Sequence, residues 1–353
     1  MQSFDTLSYR GQLHRLRRLA HAALAQYAVR EPRLVPLRHE TNTTFRVLAA
    51  NSQQYVIRIH RPDGHTREQI RSEVQWLLAL RSDTDLAVPE PVLTRDGAPL
   101  TIADAPGIPG PRVCVLFRWL DGRFSDERLT PRLMERIGAF TAQLHAHTAH
   151  WQPPADFARG RVDVLTDAAR RTVWAAPTTT SSNASVYPTD DDADRTLSLV
   201  TTLCSPEDAA TVAQAIAQIR AVYQELGEGH EVFGLIHADL HQENYFFHRG
   251  TPRAIDFDDC GWGHYLFDLN VTLREVQHLP TYPALRAALL HGYRTIRPLP
   301  TAHERYLPTF FALRRLQLLM WVLESRDHPA FRDDWAARAR YDVQQLKHFV
   351  AGA

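Results

Sequence analysis

Residues 235–259, LIHADLHQENYFFHRGTPRAIDFDD, restrict the fold more than any other stretch of the chain. Two short apolar runs, YFFH and RAIDF, flank RGTP and read as a β-hairpin. Each run adjoins a cluster of carboxylates, an amide and histidines, where an ordinary hairpin carries Gly, Pro and Ser. A turn centred near Gly250 sets Asn244 opposite Asp256. Two oxygen ligands brought together this way suit Mg²⁺, a hard cation that takes one or two carboxylates with phosphate oxygens and water. Asp239 lies in the loop that feeds the first strand. It reaches the same cavity without being a ligand, and is free to orient a hydroxyl and accept its proton.

The rest of the chain supplies two lobes around this stretch. Its 353 residues allow two domains, and 44% hydrophobic content suits a globular chain. A formal net charge of zero gives no global pull toward nucleic acid or an anionic membrane. No apolar run reaches the ~18 residues of a membrane span. The arginine-rich start has apolar positions at helical spacing and no continuous apolar core, so it reads as an amphipathic helix over 12–30. Cys114, Cys204 and Cys260 are odd in number and match no metal pattern, which points to a reduced cytoplasm.

TFRVLAA and QYVIRIH read as a hairpin, with Tyr55, Ile57 and Ile59 on one face and Val56, Arg58 and His60 on the other. A helix over 66–81 carries an Ile70, Val74, Leu77 stripe with Glu73 on its border. VPEPVLT, PLTIAD and RVCVLFRWLDG are extended. Beyond 119–121 the period changes to 3.6, through Leu133, Ile137, Phe140 and Leu144. Further helices follow at 206–226, 266–279, 283–292, 302–326 and 331–349. The expected class is therefore α+β, with a strand-rich lobe at 1–118 and a helical lobe at 119–353. The polar stretch 177–196 reads as a mobile insertion.

The motif set resembles a known family. Asp239 and Asn244 in HADLHQEN fit the D-x-x-x-x-N of a kinase catalytic loop, and Asp256 in IDFDD stands where the DFG aspartate would. H-x-D-x-x-x-x-N followed by I-D-F is similar to the aminoglycoside phosphotransferase and choline kinase superfamily. Asp268-Leu269-Asn270 fits its D-L-A-like segment. Within it, YVIRIHRP, SEVQWLLAL and IDFDDCGWG look most similar to the homoserine kinase type II, hydroxylysine kinase and stress-response kinase branch.

The resemblance implies a bilobal protein-kinase-like fold with ATP and Mg²⁺ in the cleft. It implies that Asn244 and Asp256 hold the metal and that Asp239 orients the acceptor hydroxyl. Arg58 takes the place of the phosphate-contacting lysine, and Glu73 orients it. The substitution suits a chain in which Lys and Arg total 40 and Lys347 is the only lysine. The loop RHETNTTFRV lacks the usual glycines, and Asn42, Thr43 and Thr44 stand in as phosphate donors. Main-chain groups near Phe117–Trp119 would hold adenine. Asp258 is a further candidate for a second metal or a substrate amine, and His237 for holding the loop.

The implied acceptor is a hydroxyl-bearing small molecule: an amino alcohol, a hydroxyamino acid or an aminoglycoside-like compound. The alternatives are a protein serine/threonine kinase of the stress-response type, a nucleotide-binding pseudokinase, and a metal-dependent hydrolase built on alternating His237, Asp239 and His241. LHAHTAH reads as a solvated helix end. Trp262, His264 and Tyr265 border either the acceptor or the core. Arg314, Arg315 and Trp321 are placed to face the cleft. Acceptor identity and oligomeric state are not encoded legibly.

Overall fold

Alternating apolar residues build the first of two compact units. The structure is a computed structural model and describes residues 3–39, 42–125, 129–165, 190–327 and 332–352. The first unit comprises residues 1–123 with 153–157 and 253–255. Its strands are β1 (Arg33–His39), β2 (Thr43–Leu48), β3 (Gln54–Ile59), β4 (Pro91–Val92), β5 (Thr101–Ala103) and β6 (Arg112–Arg118). They form one antiparallel sheet in the order β1-β2-β3-β6-β4, with β5 also on β6.

Tyr55, Ile57 and Ile59 of β3 point into one core with Phe45, Val47 and Leu116. Helix α1 (Tyr9–Leu24) closes that core with Leu16, Leu19, Ala20 and Ala23. It starts earlier than the sequence pattern indicates because the Ser8 hydroxyl caps Gly11 N–H. It also stops earlier, where Arg95 takes the carbonyls of Gln26 and Tyr27 that a longer helix would use. Helix α2 (Arg67–Asp83) opens with a capping box between Thr66 and Gln69.

The second unit comprises residues 124–152, 158–252 and 256–353. It is mostly helical: α3 (Pro131–Thr148), α4 (Asp190–Leu203), α5 (Pro206–Leu226), α6 (Tyr265–Arg274), α7 (Tyr282–Arg294), α8 (Leu307–Glu324) and α9 (Trp335–Ala351). The strand-then-helix expectation is correct as an α+β fold. Of the stretch expected to be mobile, 177–189 lies outside the described residues, and 190–196 belongs to α4.

Two reciprocal glycines bring α3 against α7. A Cβ on Gly138 would collide with the Leu289 carbonyl, and one on Gly292 with that of Glu135. Backbone-to-backbone approach of this kind places His145 of α3 beside Tyr293 of α7. Lys347 of α9 reaches Glu207 (2.8 Å) and Asp208 (3.2 Å) in the first turn of α5. Among the described residues, no helix is long and apolar enough to cross a membrane.

The hairpin is β8 (Tyr245–His248) with β9 (Thr251–Ala254). Its two-residue turn has φ of 51° at Arg249 and 80° at Gly250, the positive pair that a type I′ turn requires.

Candidate active site

Strand β7 (Phe233–Ile236), buried at all four positions, pairs antiparallel with β10 (Gly261–His264) and delivers the loop that carries Asp239. The loop is bent sharply at its second residue. Ala238 is fully buried and has φ of 68°, a left-handed conformation that costs a non-glycine residue on the order of 1–2 kcal/mol.

Helix α6 compensates that strain. Asp268 Oδ2 accepts the His237 N–H at 3.0 Å, and Oδ1 accepts the Ala238 N–H at 2.6 Å. One turn later the Thr272 hydroxyl donates to the Leu240 carbonyl at 2.7 Å. Positions i and i+4 of one helix thus grip the loop at two heights. His145 bonds Asp268 Oδ2 from the other side at 3.0 Å. Burial lowers the His145 pKa and outweighs the pull of Asp268, so the ring is neutral. His145 is fully buried, which overturns the solvated-helix-end reading of LHAHTAH at that residue.

His237 is buried with its ring 4.4 Å from that of Phe257, and its Nδ1 accepts the Asp239 N–H. Asn244 closes a 3₁₀ turn, Gln242–Asn244, which His241 caps by accepting the Glu243 N–H. Asn244 Nδ2 donates to the Asp239 carbonyl and to Asp239 Oδ2, both at 2.9 Å. Both bonds use the amide nitrogen, and neither uses the amide oxygen, the atom that a hard cation takes.

Asp239 Oδ2 also meets His241 Nε2 at 3.3 Å, and Oδ1 accepts from Arg314 Nη2 at 3.1 Å. Burial works to raise the Asp239 pKa. The His241 hydrogen bond and the charges of Arg314, His241 and His237 outweigh it, and the carboxyl is held well below the ordinary range. His241 moves the opposite way. Burial lowers its pKa, but Asp239, with Glu275 and Glu243, raises it further.

Asp256 is solvent-exposed, follows β9, and leads a second 3₁₀ turn, Phe257–Asp259, with φ of 61°. Left-handed non-glycine residues, Asp256 at this turn and Ala238 at the bend, mark the two strained points of the motif. The Asp258 carbonyl accepts from Arg159 Nη1 at 2.6 Å.

In the first unit, Arg58 and Glu73 form a buried ion pair, with 5% and 0% of each residue exposed. Glu73 was expected on the helix border. It is buried because the guanidinium neutralises it there. Arg58 Nε also bonds His60 Nε2 at 3.2 Å, and the guanidinium lies 5.1 Å over the Phe117 ring. Thr43 bonds His39 at 2.7 Å, and Asn42 Oδ1 accepts the Arg61 N–H at 3.2 Å. Trp119 spends its N–H on the Gln54 carbonyl and stacks under Arg46.

Sequence reasoning missed the roles of Asp268, Thr272 and His145. The DLNVT spacing, with Asp268 and Thr272 four apart, carries that signal. Trp262, His264 and Tyr265 are buried, and His264 bonds Asp163 through both its N–H and its ring. Arg314 faces Asp239, whereas Arg315 pairs with Asp342 at 3.2 Å and lies over Tyr341. No group of three or more His, Cys, Asp or Glu side chains converges on a metal position among the described residues.

A carboxylate held in a strained loop beside a side-chain amide is an arrangement that phosphoryl transfer can use. The profile of the phosphotransferase enzyme family matches residues 33–308, and the chain belongs to that family. It is a phosphotransferase of the kinase type. Amicoumacin kinase of Bacillus subtilis (strain 168) is 23% identical over 309 residues, covering 84% of this chain and 82% of that protein. The solved microcompartment-associated aminopropanol kinase is 30% identical with a TM-score of 0.71, over 95% of each chain. An amicoumacin kinase in complex with AMP-PNP and Ca²⁺ superposes with a TM-score of 0.73 at 20% identity, over 97% of this chain and 96% of that one.

Proposed function

We propose that the protein transfers the γ-phosphate of ATP to a hydroxyl of a small molecule. The observation that carries this reading is the Asp239 carboxylate: ionised, fixed through both oxygens, and bonded to the amide of Asn244. A carboxyl this acidic is a weak base. Its part is to orient the hydroxyl while the γ-phosphorus loosens, and to take the proton late. The hydroxyl oxygen bonds the γ-phosphorus, the bond to the β–γ bridging oxygen breaks, and ADP leaves. The hydroxyl proton passes to Asp239 and then to solvent.

Asn244 through its amide oxygen and Asp256 through its carboxylate fit a hard divalent cation, for which we take Mg²⁺. Such a cation neutralises phosphate charge. Arg58, oriented by Glu73, contacts the nucleotide phosphates as a fixed cation. Asn42 and Thr43 lie near the phosphates and the Phe117–Trp119 main chain near the base, with Asp258 and His237 in supporting places. Relatives named for amicoumacin and aminopropanol favour a small acceptor over a protein. The need for ATP favours the cytoplasm.

Asp239→Asn is the direct test. Removing a positioned base costs about 10²–10⁴-fold in rate. Turnover in an ATP-consumption assay should fall by that factor while ATP–Mg²⁺ binding, followed by titration, stays within a few-fold. Undiminished turnover in the variant would remove Asp239 from the mechanism. A wild type that binds nucleotide and phosphorylates nothing would make the chain a pseudokinase.

A further inference from the structure

The second unit holds a cavity that none of Asp239, Asn244 and Asp256 lines. It has about 300 Å³ of empty space, part of it open to solvent. The end of α5, the entry to β7, the start of α6 and the stretch 297–300 enclose it. Leu226, Val232, Leu266, Pro298, Leu299 and Pro300 give it a largely apolar wall. The wall is preorganised. Two prolines fix φ within 297–300, and Arg294 Nε donates to the Leu299 carbonyl at 2.9 Å.

Arg297 is the anomaly in that wall. It is 9% exposed, and its Nη1 and Nη2 donate to the carbonyls of Glu231 (2.9 Å) and His230 (2.7 Å). Its guanidinium lies 4.2 Å over the Tyr265 ring. Among the described residues no carboxylate pairs with it. Carbonyls and a ring orient a cation without cancelling its charge, and a buried charge with no counter-ion is costly. The Glu231 side chain also borders the cavity, but it is 66% exposed and stands 3.9 Å from His230, where water screens it. An anion in the cavity would complete Arg297, and a carboxylate matches the donors that the two carbonyls leave over.

The same guanidinium heads a chain of hydrogen bonds that ends on the loop of Asp239. It lies against the Tyr293 oxygen as a hydrogen-bond partner. His145 gives its Nε2–H to Asp268 Oδ2, so its Nδ1 accepts the Tyr293 hydroxyl at 3.0 Å. Asp268 takes the N–H groups of His237 and Ala238. Every donor in the chain points toward Asp268. Bonds so aligned polarise one another, and fixing one end orders the rest.

We propose that this cavity is an effector site for a small monocarboxylate. Its carboxylate pairs with Arg297 and its short apolar body packs on the leucine and proline wall. Occupation stiffens the loop that carries Asp239, through Tyr293, His145 and Asp268.

The test titrates propionate into the full chain at fixed ionic strength. Propanamide is the neutral isostere, propylamine the cationic counterpart and sulfate the inorganic anion. Propionate should bind with a Kd of about 1 mM, a range open to a ligand of about five non-hydrogen atoms. Propanamide and propylamine should bind about tenfold or more weaker, and Arg297→Gln should weaken propionate by a similar factor. Propionate should also slow amide hydrogen exchange in residues 235–241, read by mass spectrometry, by about twofold or more. Tyr293→Phe keeps the guanidinium and cuts the chain in its middle, so it should bind propionate and lose that slowing. Absent propionate binding, equal binding of propanamide, propylamine or sulfate, unchanged binding in Arg297→Gln, unchanged exchange on binding, or slowing that survives in Tyr293→Phe each overturns the proposal. If Arg297→Gln does not fold, the propionate–propanamide ratio of the wild type decides. None of these readouts needs turnover. The phosphotransferase reading fails on a different result: no ATP-dependent phosphorylation across a broad hydroxyl library by protein that binds ATP–Mg²⁺.

Discussion

Asp268 and Asp163 are both fully buried carboxylates of the second unit, and they hold their surroundings by different means. Asp268 is met by neutral donors: two consecutive backbone N–H groups and the ring of His145. Asp163 is met on one oxygen by the charge of Arg161, Nε at 2.6 Å, and on the other by a single backbone N–H and the ring of His264. An N–H direction is set by φ and ψ, so a carboxylate that captures two of them dictates backbone shape. A guanidinium on a flexible stem fixes only a position. Asp268 thereby enforces the bend at Ala238 that aims Asp239. Asp163 pins the 161–164 strip, whose neighbouring carbonyls brace Gln317 and, through it, Arg314. One carboxylate supports Asp239 and the other the arginine that pairs with it.

Breaking the first side of that comparison should have the largest effect. Asp268→Asn turns an amide N–H₂ toward donors that need acceptors. Losing one backbone bond and facing a donor with a donor costs on the order of 3 kcal/mol. Urea unfolding should show that loss, and kcat should fall about tenfold or more as the strained loop relaxes.

Asp163→Asn should cost somewhat less at neutral pH, because Glu228 still pairs with Arg161. Its signature is in acid. Burial raises the Asp163 pKa, but Arg161 and His264 outweigh it and depress it. A depressed carboxyl stabilises the fold above its unfolded pKa of about 3.9, and that stability is lost as pH falls below it. Unfolding free energy measured from about pH 5 down to pH 2 should therefore fall less steeply in the variant than in the wild type. Parallel curves would remove Asp163 as a charge-based anchor.

Thr272→Val sharpens the comparison at its weak end. It keeps shape and deletes one hydroxyl bond to the Leu240 carbonyl, worth about 1 kcal/mol. Turnover should change no more than a few-fold, since the two Asp268 bonds survive. A loss as large as that of Asp268→Asn would mean that the lower grip sets the loop.

The elements of this fold were legible where periodicity is local. The β2–β3 hairpin, α2, α5 and the β8–β9 turn all follow from alternation, helical stripes and turn residues within a few positions. Helix α4 escaped because DDDADRTLSLVTTL opens with seven polar or small residues and looks like the end of a loop. The candidate site was legible because Asp239, Asn244 and Asp256 lie close together in the chain. Its support was not. His145 and Asp268 are 123 residues apart, Arg314 and Asp239 are 75 apart, and no local pattern links them. The burial of Glu73 likewise depends on a charge 15 residues away on another element.

The single lysine, Lys347, is tied to the first turn of α5, and the buried cation that pairs with Glu73 is an arginine. Amines can be acylated and guanidinium groups resist it. Nucleotide probes that mark kinases by acylating an active-site lysine would find none here to modify. A proteome-wide survey by that chemistry would leave this enzyme uncounted, whatever its abundance, and arginine-directed dicarbonyl reagents are the chemistry suited to detecting it.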